Sequence, residues 1–373
     1  MKKLNLLDCT LRDGGYYNNW DFSPELVNNY IDTMSKSKID VVEIGFRSAF
    51  SDPSLGPYAY STDSLINKVI TKATFKIAVM INGKDLIKLN EKNIKTVFVK
   101  KNSSKIKYIR IACHFGEVEL VIPMSRILKK LGYNIIINFM GAGLRSNKEL
   151  AAVTNIVNKS KIFDVIYFAD SFGNMTPEDV EKKYKIIKKI WKKDVGFHAH
   201  NNFGLALANG LKAMQIGINW IDSTVLGMGR GAGNIETETL VYYLKQKKYK
   251  YNHQELLELS RTHFQPLKNK YDWGTNPFYY IAALNKIHPT YTQELLTGGR
   301  YDSKQIVRGI ELLSETNSSK YDFNKLQEVT EIYEDKKNGT WNADGWCNKN
   351  DIIILGAGKS VEIYKKKIES ILN

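Results

Sequence analysis

Residues 4–15 read Leu4-Asn5-Leu6-Leu7-Asp8-Cys9-Thr10-Leu11-Arg12-Asp13-Gly14-Gly15. A short apolar run closed by charge and glycine is the pattern of a buried strand leading into a turn. The residues just past such a strand separate two α/β architectures. An open, doubly wound sheet binds nucleotide through Gly-x-Gly-x-x-Gly after its first strand. Here the run ends instead in Arg12-Asp13-Gly14-Gly15, a cation and a carboxylate before a flexible turn. A closed barrel keeps such groups at the C-terminal ends of its strands.

Outward from this stretch, strand-like runs recur at intervals of roughly 25 to 35 residues with helical patterns between them. Eight strands are predicted: Leu4–Leu11, Val41–Phe46, Phe75–Ile81, Tyr108–Cys113, Asn134–Met140, Val165–Ala169, Val195–His198 and Trp220–Leu226. A ninth candidate, Thr96–Val99, is either the true fourth strand or an extra turn. Helices are predicted over Ser23–Lys36, Ser64–Thr71, Glu117–Leu131, Asn147–Asn158, Thr176–Lys189 and Leu205–Ile216. Ser23-Pro24 and Thr176-Pro177 each set a capping residue before a proline in the first turn. Eight units in about 240 residues fit a (β/α)8 TIM barrel of the α/β class over residues 1–245.

After the barrel the rhythm changes. Residues 246–345 read as a mainly helical extension. Residues 346–373 read as a lone βα unit, with a strand over Asp351–Leu355 and then Gly356-Ala357-Gly358-Lys359-Ser360. A P-loop needs a glycine where Ile353 stands, so that motif fails. The unit is expected to open a further α/β domain.

Composition bounds the function classes. The 373 residues are 43% hydrophobic, enough for a core that needs no disulfide or metal staple. Three cysteines (Cys9, Cys113, Cys347) make no secreted framework. No secretory leader and no membrane-spanning run is read, so a cytoplasmic protein is expected. Lys+Arg exceeds Asp+Glu by 54 to 39, a formal net charge of +15. The lysines are spread along the chain rather than gathered on one element, which disfavours nucleic acid as the partner. An acidic substrate would profit from the same field.

Three motifs carry chemistry. His198-Ala199-His200 ends the seventh strand, and residues i and i+2 share a face, so both imidazoles point to the barrel mouth. Two nitrogens with added oxygens suit a divalent metal; two ordinary polar residues at a strand end are the plainer reading. Asp13 could give that metal an oxygen, and Arg12 could hold a carboxylate or enolate by its planar fork. Strict alternation sends Arg12 and Asp13 to opposite faces, so one of them must lie past the strand. Glu43, inside the second strand, is costly to bury without a partner, and Arg12 is the obvious one. Gly227-Met228-Gly229-Arg230-Gly231-Ala232-Gly233-Asn234 comes after the eighth strand. Its glycines let backbone N–H groups approach an anion, or simply make a mobile loop. No lysine stands at a strand end for Schiff-base chemistry; Lys84, after a glycine turn, is the nearest.

As a set, Leu11–Gly14, Val42–Gly45, Phe168–Gly173, His198–Asn201 and Gly227–Asn234 resemble the DRE-TIM metallolyase superfamily, which includes 4-hydroxy-2-oxovalerate aldolase, HMG-CoA lyase and isopropylmalate synthase. The resemblance runs from about Leu4 to about Leu240 and is nearest to the 4-hydroxy-2-oxovalerate aldolase branch. It implies a divalent metal, Mn2+ or Mg2+ with Co2+ or Zn2+ open, held by Asp13, His198, His200 and Asn234, and no organic cofactor. It implies that Arg12 stabilises the metal-bound enolate of pyruvate or a related 2-oxo acid, and that Glu43 holds Arg12. Ser171, Gly229 and Arg230 would contact substrate. Two departures stand out. The aldolase branch has a histidine where this chain has Tyr16, beside Tyr17. The reactive cysteine that HMG-CoA lyases carry after strand eight is missing. Proton transfer is therefore assigned to Tyr16, Tyr17 or His114. The expected activity is an aldolase joining or splitting a 2-oxo acid and an aldehyde, as a homodimer with a possible dehydrogenase partner. The rivals are a Claisen-type synthase using acyl-CoA and an inactive barrel serving as a binding module.

Overall fold

The computed structural model describes residues 3–336. Eight parallel strands close into one barrel in chain order: β1 (Asn5–Asp8), β2 (Val41–Phe46), β3 (Lys76–Asn82), β4 (Ile106–Cys113), β5 (Asn134–Phe139), β6 (Val165–Asp170), β7 (Asp194–Ala199) and β8 (Trp220–Ser223). The ring shuts where Asn5 pairs with Trp220 and Asp8 with Ser223. Both faces of these strands are covered, which is why they read as continuous apolar runs rather than alternating ones. The outward faces pack on a shell of amphipathic helices. Pro24–Lys36 starts with the Ser23 hydroxyl accepting from Leu26 N, and Pro177–Ile190 starts with a Thr176/Asp179 capping box.

The period of two along each strand sorts the barrel interior into layers. Val41, Tyr108, Tyr167 and Trp220 belong to an apolar inner layer. Two residues further along the same strands stand Glu43, Arg110 and Asp222, all buried. His198 lies two residues beyond Gly196. A Cβ on Gly196 would come within 2.2 Å of the Tyr167 ring, so the missing side chain makes room for that ring. A charged layer therefore sits directly beneath the barrel mouth.

Several predicted bounds are corrected. β1 stops at Asp8, not Leu11, and residues Thr10–Asp13 form a helical turn. The Asp8 carboxylate accepts from both the backbone N–H and the hydroxyl of Thr10, which turns the chain out of the strand. Arg12 and Asp13 consequently both lie past the strand, rather than one of them. β8 ends at Ser223, not Leu226, because Val225–Gly227 is a 3-10 turn with Leu226 at φ 49°. Thr96–Val99 is no strand: Glu91–Val97 is a helix capped by Asn90. The helix predicted from Glu117 begins at Ile122, with Pro123 in its first turn.

Met1–Leu326 forms one compact unit and Gln327–Asn373 a second. Past the barrel the first unit is helical, with Pro277–Leu284, Pro289–Leu296 and Ser303–Ser314 as its main elements. The βα unit predicted over residues 346–373 lies outside the described residues. Among the described residues, no helix is long and apolar enough to cross a membrane.

Candidate active site

The turn after β1 and the end of β7 meet at the barrel mouth. Asp13 Oδ2 lies 3.4 Å from His198 Nε2 and 3.7 Å from His200 Nε2. The two imidazole rings are 4.8 Å apart at 82°, so their Nε2 atoms converge on one carboxylate oxygen. Asn234 closes the cluster by donating its amide N–H to the same oxygen at 2.5 Å. Gly229 arches over this group. A Cβ there would fall 2.7 Å from Asn234 Nδ2 and 3.1 Å from Asp13 Oδ2, so the loop can approach so closely only as glycine.

Each imidazole is fixed through its other nitrogen. His198 Nδ1 lies 3.0 Å from Asp222 Oδ2, and His200 Nδ1 lies 3.0 Å from the Asp170 carbonyl. This is the carboxylate-or-carbonyl support that orients histidines bound to metals. Arg12 spans the other side. Its Nη1 donates to Asp13 Oδ1 at 2.7 Å and its Nε to Glu43 Oε2 at 2.8 Å. Arg110 then bridges Glu43, at 3.1 Å, to Asp222, at 2.5 Å, with its guanidinium 4.4 Å from the centre of the Tyr167 ring. The ion pairs thus run Asp13, Arg12, Glu43, Arg110, Asp222 and return to His198.

The electrostatics derive from burial plus partners. Burial would raise the Asp13 carboxyl, but Arg12 and His198 beside it hold it well below the usual carboxylate range. Burial and the neighbouring His198 push His200 down to about 3, so it is neutral and keeps a lone pair. Burial works against charge on His198 too, yet its hydrogen bonds to Asp13 and Asp222 raise it above an ordinary imidazole. Three carboxylates face two guanidiniums in this network, which leaves one negative charge for a proton or a cation to balance.

The donor set fits a divalent cation. His200 Nε2 and Asn234 Oδ1 are both buried without a hydrogen-bond partner. Orphaned donor atoms of this kind beside a carboxylate oxygen are what a metal ion would satisfy. Cys9, Asp13 and His198 also place one donor atom each within 4.8 Å of one another. Burial holds the Cys9 thiol protonated, and its S–H points to the Ser223 carbonyl at 3.6 Å, so it is the poorest ligand of the group.

The remaining predicted residues divide. Tyr16, His114, Ser171 and Arg230 all border a cleft of about 280 Å³ at the mouth. The Tyr16 ring stands 4.9 Å from Trp20 and lies beneath the Arg230 guanidinium at 5.3 Å. Ser171 Oγ accepts from Gly141 N at 2.9 Å. Tyr17 does not border the cleft: its hydroxyl donates to the Gly231 carbonyl at 2.8 Å and ties the β8 loop to the turn after β1. Two neighbours went unread in the sequence. Arg110 and Asp222 lie mid-strand, and a charge inside an apolar strand is the same signal that exposed Glu43. His288, from the post-barrel region, lines the cleft and is pushed down to about 2 by burial and by Arg230.

Comparison with known proteins shows what the chain resembles. The HMGL-like family matches residues 3–262. A 4-hydroxy-2-oxovalerate aldolase from Carboxydothermus hydrogenoformans is 31% identical over 255 residues, covering 66% of this chain and 72% of that protein. An oxaloacetate decarboxylase from Mycobacterium tuberculosis is 28% identical over 246 residues, 65% of this chain and 70% of that protein. The solved N-terminal domain of a candidate aldolase from Bacteroides vulgatus superposes with a TM-score of 0.73 at 34% identity, covering 82% of this chain and 99% of that one. HMG-CoA lyase from Bacillus subtilis shares the fold, with a TM-score of 0.60 at 16% identity over 74% of this chain and 95% of that one. With most of its barrel matched in sequence and all of it in topology, this chain belongs to the HMGL-like family.

Proposed function

We propose that this protein is a divalent-metal-dependent aldolase acting through the enolate of pyruvate or a related 2-oxo acid. One observation carries the reading: Asp13 Oδ2 converges with His198 Nε2 and His200 Nε2, at 3.4 and 3.7 Å, beside the Arg12 guanidinium. Asp13, His198 and His200, with Asn234, would hold the cation, Mn2+ or Mg2+ being the first choices. When bound, it supplies Lewis-acid polarisation of the substrate's 2-oxo group.

The chain's own residues do the rest. Arg12 is a second positive group where negative charge develops on the enolate oxygen, and its rigidity comes from Asp13 and Glu43 on either side. The burial of Arg12 and Asp13 strengthens that interaction. Ser171 and Arg230 border the space for the oxo acid, and Gly229 lets the β8 loop close over Asp13. Tyr16 and His114 border the same space and are the groups assigned to move the proton of the cleaved hydroxyl. A homodimer through the post-barrel helices belongs to this reading; exposed Tyr280 and Leu284 on Pro277–Leu284 support it. So does hand-over of a short aldehyde to a dehydrogenase partner, as the resemblance implies.

The test is metal removal with substrate choice. Protein stripped with EDTA should lose release of pyruvate from 4-hydroxy-2-oxo acids and regain it with Mn2+ or Mg2+. Release of CoA from acetyl-CoA and a 2-oxo acid would instead favour the Claisen-type synthase. Failure to retain any divalent ion would favour a binding module. Trapping by borohydride with substrate, unaffected by EDTA, would replace the metal by a Schiff base.

A further inference from the structure

The cleft beside the metal cluster is walled by the segments after β3, β4, β5 and β6, by the loop after β8 and by residues 288 and 319–320. Four permanent cations line it, each from a different segment: Lys84, Arg145, Arg230 and Lys320. Only Asp85 and Glu117 oppose them. Glu117 is already committed, since its Oε2 accepts from His114 N at 2.9 Å. Among the described residues, Lys84, Arg230 and Lys320 form no salt bridge; Arg145 makes a long pair with Glu149 at 3.4 Å and lies over the Phe115 ring at 5.6 Å. Arg230 also keeps its Nε buried without a hydrogen-bond partner.

The order of these groups matters. Half-buried Arg230 follows Gly229, whose loop covers Asp13, whereas Lys84, Arg145 and Lys320 are exposed at the rim. With pyruvate at the Arg12 and Arg230 side, as the aldolase reading has it, the second reactant falls under the rim cations. Like charges converging on one concave surface repel one another and raise its potential, and a bound anion offsets both. Guanidinium and ammonium groups from several directions suit phosphate or carboxylate oxygens. A volume of about 280 Å³ is at the small end of ligand sites, which typically span roughly 300–1,000 Å³, and suits short reactants only.

We infer that the acceptor substrate of this enzyme is a short aldehyde with a terminal anionic group, phosphate or carboxylate, which Lys84, Arg145 and Lys320 recognise. The inference rests on the aldolase reading. In the condensing direction C3 of pyruvate loses a proton to a base and bonds to the aldehyde carbon, whose oxygen takes up a proton; cleavage reverses each step. The anionic group stays unreacted and serves only as the handle.

The experiment compares kcat/KM for condensation with pyruvate, in the Mn2+-loaded protein, across propionaldehyde, succinic semialdehyde and glyceraldehyde 3-phosphate. At least one charged aldehyde should exceed propionaldehyde by about tenfold or more, and the two charged arms show whether carboxylate or phosphate is preferred. The double variant Lys84→Met/Lys320→Met should reduce that charged-over-neutral ratio about tenfold, chiefly through KM, and added salt should narrow it. Propionaldehyde used as well as both charged aldehydes, no reaction of either charged aldehyde, or an unchanged ratio in the double variant overturns the inference. Deuterium exchange into pyruvate by the wild-type protein needs no aldehyde and separates the two claims. Its loss removes the aldolase reading, whereas exchange without a charge preference removes only the acceptor assignment.

Discussion

At the ends of β1, β7 and β8 the ionised side chains are buried and joined to one another; at the ends of β3, β4 and β5 the charges stand in solvent, largely without partners. The two sides of one barrel mouth thus solve different problems. Chemistry at a carbonyl needs donors held to within a fraction of an ångström, and a closed ring of ion pairs beneath Asp13 and His198 gives that rigidity. Recognition of a charged tail needs only potential and access, which exposed lysines and arginines supply without fixed geometry. Removing a partner should therefore be costly on the first side and cheap on the second.

The largest effect should come from Arg110, which bridges Glu43 to Asp222 in the barrel interior. Arg110→Met strands two buried carboxylates and should cost about 3–5 kcal/mol of stability in urea denaturation. A loss below about 1 kcal/mol would mean that the ring is not what holds this side together. Next comes Asp222→Asn, which weakens the acceptor at His198 Nδ1. Mn2+ affinity, measured by titration, should fall roughly 10- to 100-fold while the fold persists. Equal affinity would detach Asp222 from the metal site.

A smaller, pH-dependent effect is expected at Glu238, which supports the β8 loop by accepting from Leu226 N with both oxygens at 3.1 Å. Burial pushes its carboxyl up to about 8 from an ordinary 4.5. Between those values the folded protein keeps a proton that the unfolded chain has released, so stability falls as pH rises through the window and levels off above it. Glu238→Gln should flatten that decline by at least about 1 kcal/mol, read from melting curves between pH 5 and 8. Superimposable profiles would contradict it. The smallest effect belongs to the open side. Arg145→Ala, which removes an exposed pair with Glu149, should change stability by less than about 0.5 kcal/mol.

The same contrast explains what could be read from the chain. β2 to β7 were legible within a residue or two because burial on both faces makes unbroken apolar runs. The residues that meet at the mouth, Asp13 with His198 and His200, were legible as candidates because His198-Ala199-His200 and Arg12-Asp13 are local patterns at strand ends. The end of β1 was not, although Asp8-Cys9-Thr10 carries the signal of a side chain turning its own backbone. Thr96-Val97 looked like strand because of its β-branched residues, and Asn90 six residues earlier decided for helix. Arg110 and Asp222 announced themselves as Glu43 did, by charge inside an apolar strand, but their partners are separated widely in sequence. The cleft was hidden for the same reason: Lys84, Arg145, Arg230 and Lys320 meet only through the closed topology.

The buried side of the mouth must make an enolate if this protein is an aldolase of the proposed kind. The direct measurement is deuterium exchange into the methyl group of pyruvate, tracked by NMR, with and without Mn2+, for the wild-type protein and for Asp13→Ala. Exchange that requires Mn2+ and drops at least about 100-fold in Asp13→Ala is the predicted result. Exchange that proceeds equally without metal, or survives in Asp13→Ala, would contradict it.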